Sequence, residues 1–202
     1  MRDIMGLMKQ AQEMQQKMAD VQAELEAIEA EVNAVIRQNV PAETRLMAPE
    51  AAIEADKEVP LIRITRDFRG TPAQLMKAHT DPELFVRWVG PDAISSRVIE
   101  WDVRDGGSWR YVSSHDGQEF GFRGCFHTVS DDTIVQTFTW EGMPDQVALE
   151  TLHFEDLGDG TTRLHAQSLC DSFEARDGWL SSGMEVGVNE GYAKLDGLLG
   201  EP

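Results

Sequence analysis

The chain of 202 residues lacks the features that mark membrane and secreted proteins. No apolar run approaches the roughly 18 residues that a membrane-spanning helix requires. The first residues do not form a secretory signal, because Arg2 and Asp3 lead into an amphipathic stretch instead of an apolar core. We therefore expect a cytoplasmic protein that does not enter a membrane.

Thiol, metal and nucleophile motifs are also missing. Cys125 and Cys170 form no CxxC pair, and the five histidines show no HExxH or other metal-ligand spacing. We expect two buried free thiols, no metal and no cofactor. No Ser-His-Asp set, paired carboxylates or phosphate loop is visible, so the sequence assigns no catalytic residue.

Positive charge is scarce: 18 basic side chains stand against 36 acidic ones, which gives a net charge of −18. A protein that binds nucleic acid neutralises phosphates with clustered Lys and Arg, and no such cluster is present. The composition therefore disfavours binding to nucleic acid or to an anionic membrane.

The first 36 residues carry a heptad pattern that predicts a coiled-coil helix. Apolar or alanine residues alternate in steps of three and four, and a homodimer through residues 4–35 would bury this seam. The alternative, a single helix packed on its own domain, stays open. The seam consists of Ile4, Ala11, Met18, Leu25 and Val32 at the a positions and Leu7, Met14, Val21, Ile28 and Val35 at the d positions.

Charges beside the seam favour an antiparallel pair. Parallel helices would place Glu24 opposite the partner's Glu29, whereas antiparallel helices place Lys17 opposite the partner's Glu24. Exposed ion pairs contribute only ~0.2–1 kcal/mol each, so they bias the orientation without fixing it.

The segment "MRDIMGLMKQAQEMQQKMADVQAELEAIEAEV", residues 1–32, resembles the first helix of the YbaB/EbfC family of nucleoid-associated proteins. Members of that family are dimers that bind DNA. The resemblance implies a dimerisation helix. The family's sheet and basic region have no counterpart here, so DNA binding is not carried over.

Residues 37–58 contain two prolines, many alanines and mixed charges, and we expect an extended, mobile linker. Residues 59–202 then form the globular domain. On this division, the domain should fold alone when the first 58 residues are deleted.

The globular domain alternates strand patterns with turn signals. "PLIRITRDFR" predicts a first strand with Ile62, Ile64 and Phe68 on one face and Arg63 and Arg66 set against them. After two short helices come six strand-like runs, separated by turn sequences that include Asp-Gly. A meander of this kind predicts an antiparallel sheet with an apolar concave face.

Helices stand on both sides of the six strands. "TPAQLMKAH" and "DPELFVRW" each open with a capping residue, Thr71 or Asp81, followed by proline. In the last helix, Gly183, Gly187 and Gly191 recur every four residues, which indicates close approach to the sheet or space for a ligand. We predict an α+β fold in which a curved antiparallel sheet wraps a long C-terminal helix.

The motifs "IRITRDF", "DPELFVRWVGP", "DVRDGGSWRY", "FRGCFHTV" and "SSGMEVGVNEGYAKLDGLL" occur in an order that resembles the family of homologues of the activator of heat-shock-protein-90 ATPase. This family lies within the SRPBCC (START/Bet-v-1-like) superfamily. The resemblance implies a helix-grip fold around a hydrophobic cavity, and it implies no single reaction. Val89 and Val188 stand where the family often has aromatic residues, which would enlarge the pocket.

Aromatic and apolar residues on the predicted strands and helices are the candidates for the cavity wall. His127, His153 and His165 could act as an acid or base, although His127 and His165 are expected to face outward. The predicted ligand-binding residues are Trp88, Phe120, Phe122, Phe138, Trp140, Met184 and Val188.

These features predict the binding of a small hydrophobic or amphipathic molecule between the sheet and the C-terminal helix. Two other functions stay open: a cyclase/aromatase-like or hydrolase-like enzyme that uses the same cavity, and an interaction protein such as a chaperone cofactor in the stress response. A polar pair within hydrogen-bond reach inside the pocket would favour an enzyme.

Overall fold

A computed structural model describes residues 50–200, and this part of the chain holds eight strands and four helices. The predicted coiled coil and dimer seam, and the linker up to residue 49, lie outside the described residues. In chain order the elements are β1 (Ala52–Ala55), β2 (Leu61–Arg69), α1 (Pro72–Thr80), α2 (Pro82–Trp88), β3 (Ser95–Trp101), β4 (Ser108–His115), β5 (Gln118–Val129), β6 (Thr133–Trp140), β7 (Ala148–Gly158), β8 (Thr161–Leu169), α3 (Phe173–Ser181) and α4 (Met184–Leu199).

The strands form one antiparallel sheet in the order β1-β2-β8-β7-β6-β5-β4-β3. The six strands from β3 to β8 are a meander, and β2 returns to pair with β8. This curved sheet with its C-terminal helix confirms the predicted helix-grip fold. None of the helices within residues 50–200 is long and apolar enough to cross a membrane.

The predicted helix starts are confirmed by their caps. Thr71 accepts a hydrogen bond from the Gln74 amide, and the Gln74 side chain accepts one from the Thr71 amide, which forms a capping box. Asp81 accepts hydrogen bonds from the Glu83 and Leu84 amides at 2.9 and 3.3 Å. Each of the two helices therefore begins directly after the capping residue that the sequence indicates.

Two Asp-Gly pairs make the tightest hairpins. Asp116 and Gly117 connect β4 to β5 with φ values of 49° and 78°, and Asp159 and Gly160 connect β7 to β8 with 52° and 71°. Two-residue turns with positive φ match the natural twist of antiparallel strands. These turns fix the register of both hairpins.

The core lies on the concave face and is built by elements far apart in the chain. Phe68 of β2, Leu75 of α1, Phe154 of β7, Leu164 of β8 and Leu195 of α4 are each at most 1% exposed. Burial of side chains of this size contributes roughly 1.5–3 kcal/mol each. The helices are thus held against the sheet mainly by apolar contact.

Arg66 does not face outward as the sequence indicated. Side chains alternate along a strand, so Arg66 shares the inward face of β2 with Ile62 and Phe68, and it is 4% exposed. Its guanidinium pairs with Asp196 of α4 and lies 4.7 Å from the centre of the Phe68 ring and 5.5 Å from that of Tyr192. This ion pair ties the C-terminal helix to the sheet.

The glycines of α4 meet the end of α2, not the sheet. A Cβ atom on Gly191 would lie 2.9 Å from the Trp88 carbonyl oxygen, and one on Gly187 would lie 3.4 Å from Pro91. Gly183 precedes the helix with a φ of 84°. Close approach therefore requires glycine only at position 191, whereas a Cβ at position 187 would make an ordinary contact and Gly183 has a positive φ.

The two cysteines differ in exposure. Cys170 is buried, as expected, whereas Cys125 is exposed. Phe122 and Phe126 occupy the inward positions of β5, so Cys125, between them at an odd position, points to the other face. The expectation of two buried thiols is corrected for Cys125.

The range expected to be linker contains the first strand. β1 pairs with β2 in the register Ala52 to Thr65 through Ala55 to Ile62. Just before it, Ala51 is buried in the core, and its amide donates to Asn189 Oδ1 of α4 at 2.9 Å. We therefore propose that the folded domain begins near residue 50.

A chain that begins at residue 50 should unfold in one cooperative transition. A chain that begins at residue 59 should be less stable by roughly 1–3 kcal/mol, because it loses the burial of Ala51 and the pairing of β1. Urea denaturation followed by circular dichroism measures the difference. Equal stability of the two chains would contradict a structural role for β1.

Candidate functional site

A cavity of about 150 Å³ lies between the helix pair and the concave face of the sheet. Its wall takes residues from α1, α2, the junction after α2, and strands β3 to β7, and none from α4. The cavity thus lies beside the helix pair and not, as expected, against the C-terminal helix. It is lined by His79, Phe85, Trp88, Val89, Trp101, Trp109, Tyr111, Phe126, Ile134, Gln136, Phe138, Glu150 and Leu152.

Two indoles of the wall are anchored to the end of α1. Trp88 Nε1 donates to the Ala78 carbonyl at 2.8 Å, and Trp101 Nε1 donates to the Thr80 carbonyl at 2.7 Å. The last carbonyls of a helix have no partner within the helix. The indoles satisfy two of them, which fixes both rings and closes one side of the cavity.

Aromatic rings make up most of the remaining wall. Phe85 lies 4.7 Å from Trp101 and 5.1 Å from Tyr111 between ring centres. Trp109 lies 5.8 Å from both Tyr111 and Phe138. Contacts at these separations stabilise beyond simple burial, so the wall is a rigid and continuous aromatic surface.

One carboxyl group interrupts this surface. Glu150 lies on β7 between Gln136 of β6 and Ser168 of β8, which are its cross-strand neighbours. Gln136 Nε2 donates to Glu150 Oε2 at 2.9 Å, and Ser168 Oγ donates to Oε1 at 3.1 Å. Burial raises the pKa of Glu150, and the two hydrogen bonds oppose that rise.

The charge of Glu150 reaches the tyrosines around it. Burial, and secondly the Glu150 carboxylate, raise the pKa values of the Tyr111 and Tyr192 hydroxyls. Tyr111 lines the cavity, and Tyr192 belongs to α4. Glu150 is therefore close enough to influence the ionisation of both hydroxyls.

His79 is the second titratable group with an unusual environment. Its Nδ1 lies 2.8 Å from the Leu75 carbonyl, which can only accept, so Nδ1 carries the hydrogen. Burial lowers the pKa of His79 to about 4, and the ring is neutral near pH 7. Its Nε2, like Trp109 Nε1, is buried without a hydrogen-bond partner among the described residues.

The structure brings together only some of the predicted site residues. Trp88 and Phe138 line the cavity, and Phe122 packs behind them, 5.6 Å from Phe138 between ring centres. Met184 and Val188 pack against the core from α4 without lining the cavity. The other two predicted residues, Phe120 and Trp140, lie on β5 and β6 outside the lining.

The histidines singled out from the sequence lie away from the cavity. His127 and His153 are exposed, and His165 Nε2 lies 2.8 Å from Glu155 on the outer surface. Sequence reasoning missed Glu150, Gln136 and His79. The signal for Glu150 was its even position between Ala148 and Leu152, which places it on the inward face of β7.

A larger concavity of about 870 Å³ is an open groove on the surface between α1, the β5–β6 turn and residues 153–156 of β7. Its wall mixes apolar residues such as Pro72 and Met76 with exposed carboxylates at Asp131, Asp132 and Glu155. Within residues 50–200, no group of three or more histidine, cysteine or acidic side chains is arranged to hold a metal ion. The enclosed cavity is therefore the better candidate site.

Comparison with family models identifies two segments. The model described as "Activator of Hsp90 ATPase homolog 1-like protein" matches residues 69–200, well over half of the chain. The model of the "YbaB/EbfC DNA-binding family" matches residues 1–37. The first match includes strands β3 to β8, all four helices and every residue that lines the cavity.

Solved structures share the fold. A Mycobacterium smegmatis protein is 22% identical with a TM-score of 0.68, covering 76% of this chain and 99% of its own. A Rhodobacter sphaeroides protein is 25% identical with a TM-score of 0.66, covering 73% and 97%. The AHSA1 protein of Silicibacter pomeroyi is 21% identical with a TM-score of 0.56, covering 69% and 96%. Such identities show the common fold.

Two curated relatives match only a short segment. Alanine–tRNA ligases of Caulobacter sp. (strain K31) and Caulobacter vibrioides are 78% identical over 32 residues, which is 16% of this chain. This chain covers only 4% of the length of either ligase. A match of that extent does not bring their activity to this protein.

Glu150→Gln should make the protein more stable at pH 7. The raised pKa means that the folded state holds the proton more tightly, so ionisation costs stability as the pH rises from about 4.5. The amide has the same shape without the charge: its oxygen can accept from Gln136 Nε2, and its NH2 can donate to the Ser168 hydroxyl, which both donates and accepts. The gain should shrink as the pH falls towards 4.5.

Glu155→Gln is the matched control, because Glu155 lies on the same strand but is exposed and has a lowered pKa. Its substitution should not stabilise the protein at pH 7. Thermal unfolding of the three proteins across pH measures both effects. A Glu150→Gln protein that is less stable than wild type at pH 7 would contradict the claim that the ionised Glu150 carboxylate destabilises the folded protein.

Proposed function

We propose a function from one premise: the chain belongs to the Activator of Hsp90 ATPase homolog 1-like protein family, whose model spans residues 69–200. The helix-grip fold of this family typically binds hydrophobic ligands. The proposed function is the binding of a small hydrophobic or amphipathic molecule in the cavity of about 150 Å³ between the helix pair and the sheet.

The observation that carries this proposal is an aromatic cavity kept open in an otherwise packed core. At ~24 cal/mol per Å³, a void of about 150 Å³ costs about 3–4 kcal/mol relative to a filled core. Total folding stabilities are only about 5–15 kcal/mol. A bound ligand would restore the missing contacts and offset that cost.

The volume limits the size of the ligand. Apolar cavities of ~150 Å³ hold one benzene molecule, whereas sites for drug-sized ligands have ~300–1,000 Å³. The cavity therefore suits a molecule, or the buried end of one, of about the size of a single ring. The proposed wall includes two of the predicted residues, Trp88 and Phe138, with Phe122 in contact with Phe138 behind it.

Val89→Trp should weaken the binding of toluene at least tenfold, because the larger side chain fills the space beside Trp88. Position 89 lies at the end of α2 and lines the cavity. Val186→Trp is the control, since Val186 is 56% exposed on α4. Titrations followed by tryptophan fluorescence and by ligand NMR measure the affinities.

Toluene binding that is unchanged in Val89→Trp would contradict the location of the site. Absence of toluene binding to the wild type would contradict the function itself. Native mass spectrometry of gently purified protein adds an independent readout, because a retained small molecule would appear as a mass shift.

An enzyme that uses the same cavity is the second candidate. Gln136 and Glu150 form a polar pair at 2.9 Å inside the pocket, and a carboxyl group with a raised pKa is typical of acid–base catalysts. In that case, Glu150→Gln would abolish turnover while a bound substrate analogue is retained. In a binding protein the substitution changes affinity alone.

Dimerisation through residues 4–35 is the other part of the proposal. It is supported by the heptad seam and by the family-model match over residues 1–37. The full chain should sediment as a dimer, and Met18→Lys should give a monomer, because an unpaired charge in a central layer costs several kcal/mol. A wild type that sediments as a monomer would contradict the dimer.

A further inference from the structure

Among the described residues that line the cavity, the one group that can become charged near pH 7 is a carboxyl group. That group belongs to Glu150, and no Lys or Arg is among the lining residues. His79 is neutral near pH 7, because burial lowers its pKa to about 4. The two side chains that donate to Glu150, Gln136 and Ser168, are uncharged.

Aromatic rings at several orientations line the same space. The planes of Trp101 and Trp109 meet at 59°, and those of Phe85 and Tyr111 meet at 69°. Trp109 and Tyr111 are stacked at 20°, so the wall combines a stacked pair with rings set at steep angles to it. The negative face of an aromatic ring attracts a cation within ~6 Å of its centre, and Trp does so best.

We infer that the ligand is a small organic cation, an amine or quaternary ammonium compound, whose charged head lies among the aromatic rings beside Glu150. This inference rests on the proposed binding function of the same cavity. It names the chemical class that the wall would recognise.

The other ligand classes fit the wall less well. An anionic ligand would meet the Glu150 carboxylate with no basic group to offset the repulsion. A neutral apolar ligand would leave the carboxylate further desolvated without a counter-charge, which is costly in a buried site. A cation gains from both the carboxylate and the ring faces, and its head group of single-ring size fits the volume of about 150 Å³.

Choline and dimethylbutanol, the alcohol in which carbon replaces the quaternary nitrogen of choline, test this inference directly. The two probes share their shape and differ in charge. Isothermal titration of the full chain at about 0.15 M salt, where long-range surface attraction is screened, should give choline at least a tenfold tighter Kd. That factor corresponds to ~1.4 kcal/mol.

Glu150→Gln should remove most of the preference for choline, because it weakens choline binding and removes the desolvation cost that dimethylbutanol meets. Glu155→Gln removes a carboxylate from the same strand on the outer surface and should keep the full preference. Circular dichroism confirms that each variant is folded. Comparing the two probes on the wild type needs no variant and shows by itself whether the site prefers the cation or the neutral molecule.

Three outcomes would be adverse. Dimethylbutanol that binds as tightly as choline would overturn the cation and leave the binding function intact. A preference for choline that survives Glu150→Gln would overturn the role of this carboxylate. If neither probe binds and toluene also fails to bind, the proposed function fails together with the inference.

Discussion

The structure depends on one constraint: a curved antiparallel sheet has to cover its apolar concave face. The four helices of residues 50–200 do so: Leu75 of α1 and Leu195 of α4 are fully buried, α2 contributes Trp88, and Trp179 of α3 contacts Phe138. The Arg66–Asp196 ion pair fixes α4 to β2. Where the helix pair meets the sheet, aromatic rings hold the walls apart and the cavity remains.

The same constraint explains why the candidate site is costly. An open volume of about 150 Å³ and a desolvated carboxyl group both lower the stability of the fold. Hydrogen bonds from Gln136 and Ser168 reduce the second cost only in part. An open cavity and a desolvated carboxyl group lower the stability of a fold, and natural proteins keep such features mainly at binding or active sites.

Local sequence signals predicted the fold better than they predicted the site. The caps at Thr71 and Asp81 and the Asp-Gly turns depend on neighbours within a few residues, so the sequence was sufficient for them. Arg66 was wrongly predicted to face outward because the carboxylate that pairs with its buried charge, Asp196, lies 130 residues further along the chain. Glu150 was missed because its donors stand 14 and 18 residues away on other strands. The strand register that joins them is a property of the whole sheet.

The central claim is that Glu150 sets the charge of an aromatic cavity that takes a ligand. The most direct measurement is an NMR titration of the Glu150 carboxyl carbon in the full chain, with and without choline. The account predicts that the pKa lies above the ordinary value for glutamate in the free protein and falls when choline binds. A pKa at the ordinary value that choline does not change would contradict it.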